Sequence, residues 1–291
     1  MTNGGLLAAA SLVLTLLSGL AFAEPVNIVA AENFYGDVAT QIGGVHVAVT
    51  SILATPDDDT HLFEGSASIA RALVTAKIVI VNGVDYDPWM EKLLVANKAP
   101  GRREILVATL AHKTRGDNPR LWYSPAAMKA LAGALSVGLA VIDPTHRDDY
   151  QRSEAVFGAS LESLDTKIAQ MRQKYAGQPV AASEAVSSYL AELLGLKVPN
   201  EEFALEVMSN AEPSASNIAA FESDLKDHKV KVMLYNAQGR VPAVQRLVQI
   251  AKDKNIPVVG ISETEPPGAT YQQWMARQLE ELDKALAGEA P

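Results

Sequence analysis

The chain has 291 residues, 48% hydrophobic and 6% aromatic, with a net charge of -9 and no cysteine. That length allows one large or two modest domains with an ample core. The acidic balance argues against a nucleic-acid partner, which needs a basic face, and the lack of cysteine excludes disulfides, thiolate metal sites, thiol nucleophiles and a lipid-modified N-terminal Cys.

Residues 1–23 read MTNGGLLAAASLVLTLLSGLAFA. The apolar stretch from Leu6 to Leu20, closed by Ala21-Phe22-Ala23, has the form of a signal peptide with an A-x-A cleavage site, though its first residues carry no Lys or Arg. It is short for a membrane span and has no stop-transfer flank. Cleavage after Ala23 is expected, giving a free periplasmic protein that starts at Glu24.

The mature chain alternates strand and helix patterns. Short β-branched runs at 26–31, 45–53, 78–82 and 105–109 predict buried strands, and 66–76 between them predicts a helix. An Ala/Leu-rich helix is predicted over Pro125–Ile142, stopped by Asp143-Pro144. Then Tyr150, Phe157, Leu161, Leu164, Ile168, Met171 and Tyr175 follow helical 3/4 spacing. Asp148 and Asp149 suit its first turn, and Gly177-Gln178-Pro179 ends it. A helix of about 28 residues is about 42 Å long, enough for a strut between two lobes. Beyond it, strands are predicted at 180–182, 205–208, 230–235 and 258–261, with helices at 216–226, 243–254 and 271–286.

The expected fold class is therefore α/β: two βα lobes with parallel sheets joined by one long helix. The expected parts are a signal peptide (1–23), an N-terminal lobe (24–146), a linking helix (147–178) and a C-terminal lobe (179–291). Ligands of open α/β sheets bind beyond the C-terminal strand ends. That rule selects the loops 55–63, 118–125, 183–188 and 262–268.

The first loop, TPDDDTHLF, offers His61. A lone loop histidine is more often a surface or capping residue than a ligand. The second, NPRLWYSP, is stiffened by two prolines around Trp122 and Tyr123 and carries Arg120 beside Asn118. The third offers Glu184 and the fourth Glu263, either of which could merely complement a helix N-terminus.

Taken together the pieces become specific. AENFYGDVATQIGG, HLFEGSASIARAL, VNGVDYDPWM, NPRLWYSP, NAEPSASNIAAFESDLKDHKVKV and ETEPPGATYQQWM run in order along nearly the whole mature chain. In them the chain resembles the zinc/manganese solute-binding proteins of ABC importers, the cluster with a long rigid linking helix. The resemblance implies a receptor, not an enzyme, that holds Zn2+ or Mn2+ between its lobes as cargo. It also implies a permease of the inner membrane as partner. The chain is expected to be monomeric and to bind no nucleic acid.

Residue by residue, the resemblance carries His61 onto the family's first ligand, Glu184 onto the third and Glu263 onto the fourth. The second ligand is a histidine in Asn-Pro-His-Leu-Trp-Tyr, and here that position is Arg120. Arginine has no lone pair to give and stays charged. Four readings stay open. Arg120 replaces the cation as a counter-ion of the glutamates; it swings outward and leaves three ligands; the cleft takes an anionic ligand; or Arg120 stacks on Trp122 or Tyr123.

Among the remaining histidines, His46 is expected in a strand, His146 as a cap and His228 at a helix end. His112, in the loop leading to Arg120, is the one substitute ligand. No nucleophile elbow is present. A three-ligand zinc would need a placed general base to be hydrolytic, a role for which Glu265 is available, but receptors hold metal without catalysis. The alternative function is a family member with a degenerate metal site, acting as a receptor for another ligand or as an interaction protein.

Overall fold

The computed structural model describes residues 24–55, 66–184, 188–209, 211–239 and 241–289. The expected signal peptide and His61 lie outside the described residues.

Two parallel sheets form the frame. In the N-terminal lobe β1 (Val26–Glu32), β2 (Val47–Leu53), β3 (Ile78–Val81) and β4 (Arg103–Leu106) lie in the order β2-β1-β3-β4. In the C-terminal lobe β5 (Ala181–Ala182), β6 (Met233–Asn236) and β7 (Val258–Ile261) lie in the order β5-β6-β7. Among the described residues every pairing of these strands is parallel. Parallel pairing puts all C-terminal strand ends of a sheet on one edge, where the loops gather. Val79 and Ile80 of β3 and Leu234 of β6 are fully buried, as expected of strands covered by helices on both faces.

Three local expectations change. The stretch 105–109 is a strand only to Leu106; Val107–Leu110 turns helical, with the Ala108 amide bonded to the Asn82 carbonyl. The stretch 205–208 is the end of a helix, Glu201–Met208. Phe203 and Val207 are buried one turn apart, and Glu201 and Glu202 favour its positive N-terminus. His46 belongs to a 3-10 turn, Gly44–His46, ahead of β2. There its ring stacks on His146 at 3.8 Å and bonds Asp149, so a turn histidine took the place of a strand residue.

The linking segment is two helices of 14 residues, Arg147–Ser160 and Glu162–Tyr175, rather than one. Leu161 between them keeps helical angles (φ -80, ψ -13). Its amide is shared between the Phe157 and Gly158 carbonyls, while the Ser160 hydroxyl donates to Phe157 O at 2.6 Å. A hydroxyl competing for the ladder tightens that turn without turning the chain away.

One hydrophobic cluster crosses both lobes. It runs from Ile28 and Phe34 through Trp122, Leu131 and Phe157 to Leu234, Ile261 and Trp274. Polar contacts reinforce it. Asn33 Nδ2 donates to Glu265 O at 2.8 Å, Tyr271 N to Asp37 at 2.9 Å and Tyr271 OH to Trp122 O at 2.7 Å.

Candidate metal-binding cleft

Each cleft residue follows a strand or a stiff loop. Glu184 lies two residues after β5, Glu263 two residues after β7, and Asn236 ends β6. The Asn236 amide donates to Glu184 at 2.9 Å and to Glu263 at 3.3 Å, so one side chain ties the two carboxylates together. Its own oxygen accepts the Gln238 amide at 2.9 Å, which fixes the direction of the NH2 group. Gln238 in turn accepts the Glu263 amide at 2.6 Å.

The N-terminal lobe answers with Arg120. Its guanidinium donates to Glu263 at 3.1 Å, and both side chains are largely buried. Burial works against the charge, but Glu263, Tyr86 and Glu184 together outweigh it and hold the guanidinium above its ordinary value. Asn118 Oδ1 accepts the Arg120 amide at 3.0 Å, and Asn82 Nδ2 grips the Pro119 carbonyl at 2.9 Å. Arg120 therefore leaves a fixed piece of backbone. It does not stack: among the described residues the cations over rings are Lys113 over Tyr189 and Lys174 over Tyr175.

Trp122 and Tyr123 form the 3-10 turn Leu121–Tyr123 and are buried beneath the loop. Trp122 packs on Phe34 at 4.7 Å and on Tyr86 at 5.0 Å, and Tyr123 OH donates to the Ser262 carbonyl at 2.9 Å. Burial and the nearby Glu263 push the Tyr123 phenol far up, so it keeps its proton.

Two cleft residues lie outside the four loops that the strand-end rule selects, at the end of β6 and in the loop after β3. One is Asn236. The other is Tyr86, whose hydroxyl donates to Glu263 at 3.3 Å. Tyr86 follows Gly83, Val84 and Asp85, which all have positive φ (82, 55 and 58). For a β-branched Val this is a strained conformation, and strain of this kind collects at binding sites. Asp87 clamps the loop by accepting the Asn82 and Gly83 amides at 2.7 and 2.8 Å. The legible signal was Asn82-Gly83 directly after a buried strand.

His112 belongs to no group of three or more candidate metal ligands among the described residues. It is exposed, at φ 54, in the turn after Val107–Leu110. Glu265 is buried, with one oxygen unpartnered and its carboxyl pushed by burial to about 9. It faces Asn33 and Asp37 between the lobes and makes no bond into the cleft.

The described residues thus supply two carboxylates and a guanidinium. Among them no group of three or more His, Asp or Glu could hold a metal ion. Two carboxylates are hard oxygen donors that fit manganese or zinc but do not complete a coordination shell.

The family described as ZnuA, zinc-uptake complex component A, periplasmic, matches residues 28–285. The chain belongs to this family. It is 20% identical to the manganese-binding lipoprotein MntA of Bacillus subtilis, over 90% of each chain. It is also 20% identical to the manganese ABC transporter substrate-binding lipoprotein PsaA of Streptococcus pneumoniae, covering 90% of this chain and 89% of that one. Among solved structures it resembles the solute-binding protein FpvC of Pseudomonas aeruginosa in complex with Ni2+. That match has a TM-score of 0.73 at 20% identity and covers 91% of this chain and 97% of that one. A Cd-bound periplasmic metal-binding protein of Candidatus Liberibacter asiaticus superimposes with a TM-score of 0.68 at 18% identity, over 90% and 100% of the two chains. Both likenesses bear out the fold.

Proposed function

We propose that this protein is an extracytoplasmic receptor that captures zinc or manganese between its lobes and passes it to the permease of an ABC importer. Family membership supports the class, since relatives carry names of manganese and zinc binding. One observation carries the assignment to this cleft. Asn236 joins Glu184 and Glu263 from two different strand ends, and Glu263 takes Arg120, which stands where the family resemblance puts its second ligand.

In this reading Glu184 and Glu263 are ligands and His61 is the third. Residues 24–146 and 179–291 are the lobes and 147–178 the linker. The protein acts as a periplasmic monomer after cleavage near Ala23, is no enzyme and binds no nucleic acid. Arg120 is a built-in counter-ion: it neutralises Glu263 until the cargo displaces it. A divalent ion brings twice the charge and direct coordination, so it can win that competition.

The second reading, a receptor that has given up metal for another ligand, is favoured by Arg120 itself, buried at 5% exposure in a histidine's place. Calorimetric titration of the purified protein with zinc and with manganese separates the two. Saturable binding of one ion, lost in Glu184→Gln and Glu263→Gln, supports the receptor. No uptake of either metal overturns it.

A further inference from the structure

Two polar groups beside the cleft are buried with nothing to bond. Arg120 gives one terminal nitrogen to Glu263, while its Nε is buried without a partner. Glu32 is 1% exposed, and neither of its carboxylate oxygens has a partner. Glu32 closes β1, in step with Ile28 and Ala30, so it faces the cluster that contains Tyr35, Tyr86 and Trp122. Tyr86 stands between the two groups: its hydroxyl meets Glu263 at 3.3 Å, and its phenol lies in the field of Glu263, Glu32 and Arg120. Native interiors hold few unpaired polar atoms, and a buried acid without a partner calls for a reason.

We propose that Glu32 is the second partner of Arg120: when a divalent cation takes Glu263, the guanidinium turns to Glu32. The inference rests on the metal-receptor reading above. A cation on Glu263 would otherwise leave Arg120 charged, buried and unpaired. The backbone of Arg120 is pinned through Asn118 and Pro119, so the side chain must rotate rather than the loop withdraw. The nearby carboxylates are few. Glu184 is the other ligand, and both Asp87 oxygens already accept backbone amides. Among the described residues Glu32 has both carboxylate oxygens free, whereas Glu265 has one and lies beside Asp37. Burial, with Asp87 close by, holds its carboxyl well above the usual range, and an arriving guanidinium reverses that. Glu32 is thus a positioning residue that sets cargo affinity without touching the cargo.

The test is a double-mutant cycle. Zinc and manganese affinities are measured by chelator competition, at fixed pH and salt, for the natural protein, Glu32→Gln, Arg120→His and the double variant. Glu32→Gln is expected to weaken binding about tenfold in the natural background and less than about twofold beside Arg120→His, where no guanidinium needs a home. Equal losses in both backgrounds, or no loss in the natural one, overturn the inference. No metal uptake by the natural protein overturns the receptor reading and this inference with it, whereas uptake that ignores Glu32→Gln sinks this inference alone. A readout on the natural protein guards against a variant that fails to fold. The NMR signal of the Arg120 Nε–H should shift and gain exchange protection at zinc saturation, and an unchanged signal refutes the relay.

Discussion

Arg120 and Glu263 meet at 3.1 Å across the two lobes, one from the stiff loop 118–125 and the other from the end of β7. Their side chains are 6% and 13% exposed, so the pair is shielded from water and salt. Breaking a buried pair from one side strands a charge. Glu263→Ala is therefore expected to destabilise the metal-free protein by about 3–5 kcal/mol, and Arg120→Met with Glu263→Leu to recover most of it. Urea denaturation of the three proteins checks this. A single variant as stable as the natural protein would show that the pair is not formed.

The strand β1 to β7 order shows how far the sequence could be read. Short β-branched runs bounded by turns located β1, β3 and β7, because buried parallel strands have little choice of composition. The segment 205–208 misled because Leu, Val and Met serve a helix as well as a strand. Periodicity decided for the helix only when Phe203 was counted with Val207. The break at Leu161 was hidden, since hydrophobic spacing runs through it undisturbed and only a hydroxyl bond marks it. In the cleft, Arg120, Glu184 and Glu263 stood out through family resemblance and strand-end position. Tyr86 and Asn236 did not, because phenols and amides attract no notice until a carboxylate is placed beside them. Glu32 was invisible for another reason: a single acid after a buried strand reads as a surface residue, and only the fold shows it enclosed.

Asp87 gives the protein a pH dependence with a definite sign. Burial raises its carboxyl to about 6, against the pull of the Gly83 and Asn82 amides. The folded state holds the proton more tightly than the unfolded chain does. Its contribution is therefore fully present below about pH 4 and is lost as pH rises through about 6, roughly 3 kcal/mol in all. Asn resembles the protonated carboxyl and does not titrate. Melting curves of the natural protein and Asp87→Asn should therefore run closest near about pH 4 and separate as pH rises, the natural protein losing stability relative to the variant. Parallel curves would assign Asp87 an ordinary titration.

The lobes should move little on binding. The shared core and the Asn33–Glu265, Asp37–Tyr271 and Trp122–Tyr271 contacts tie them together, and the Leu161 turn keeps helical angles. Hinges need residues free to change φ and ψ, and none of these is free. Small-angle scattering with and without zinc is expected to give the same radius of gyration. A marked compaction would locate a hinge in the linker.

The central claim is that Arg120 occupies, as a counter-ion, a place where a ligand would bind cargo more tightly. Arg120→His removes the competing charge on Glu263 and supplies a lone pair. The most direct measurement is zinc titration of the natural protein and Arg120→His side by side, at one pH and one ionic strength. The histidine variant should bind zinc at least about tenfold more tightly, a difference of about 1.4 kcal/mol. Equal affinity in the two proteins would contradict the account and leave Arg120 a bystander to the cargo.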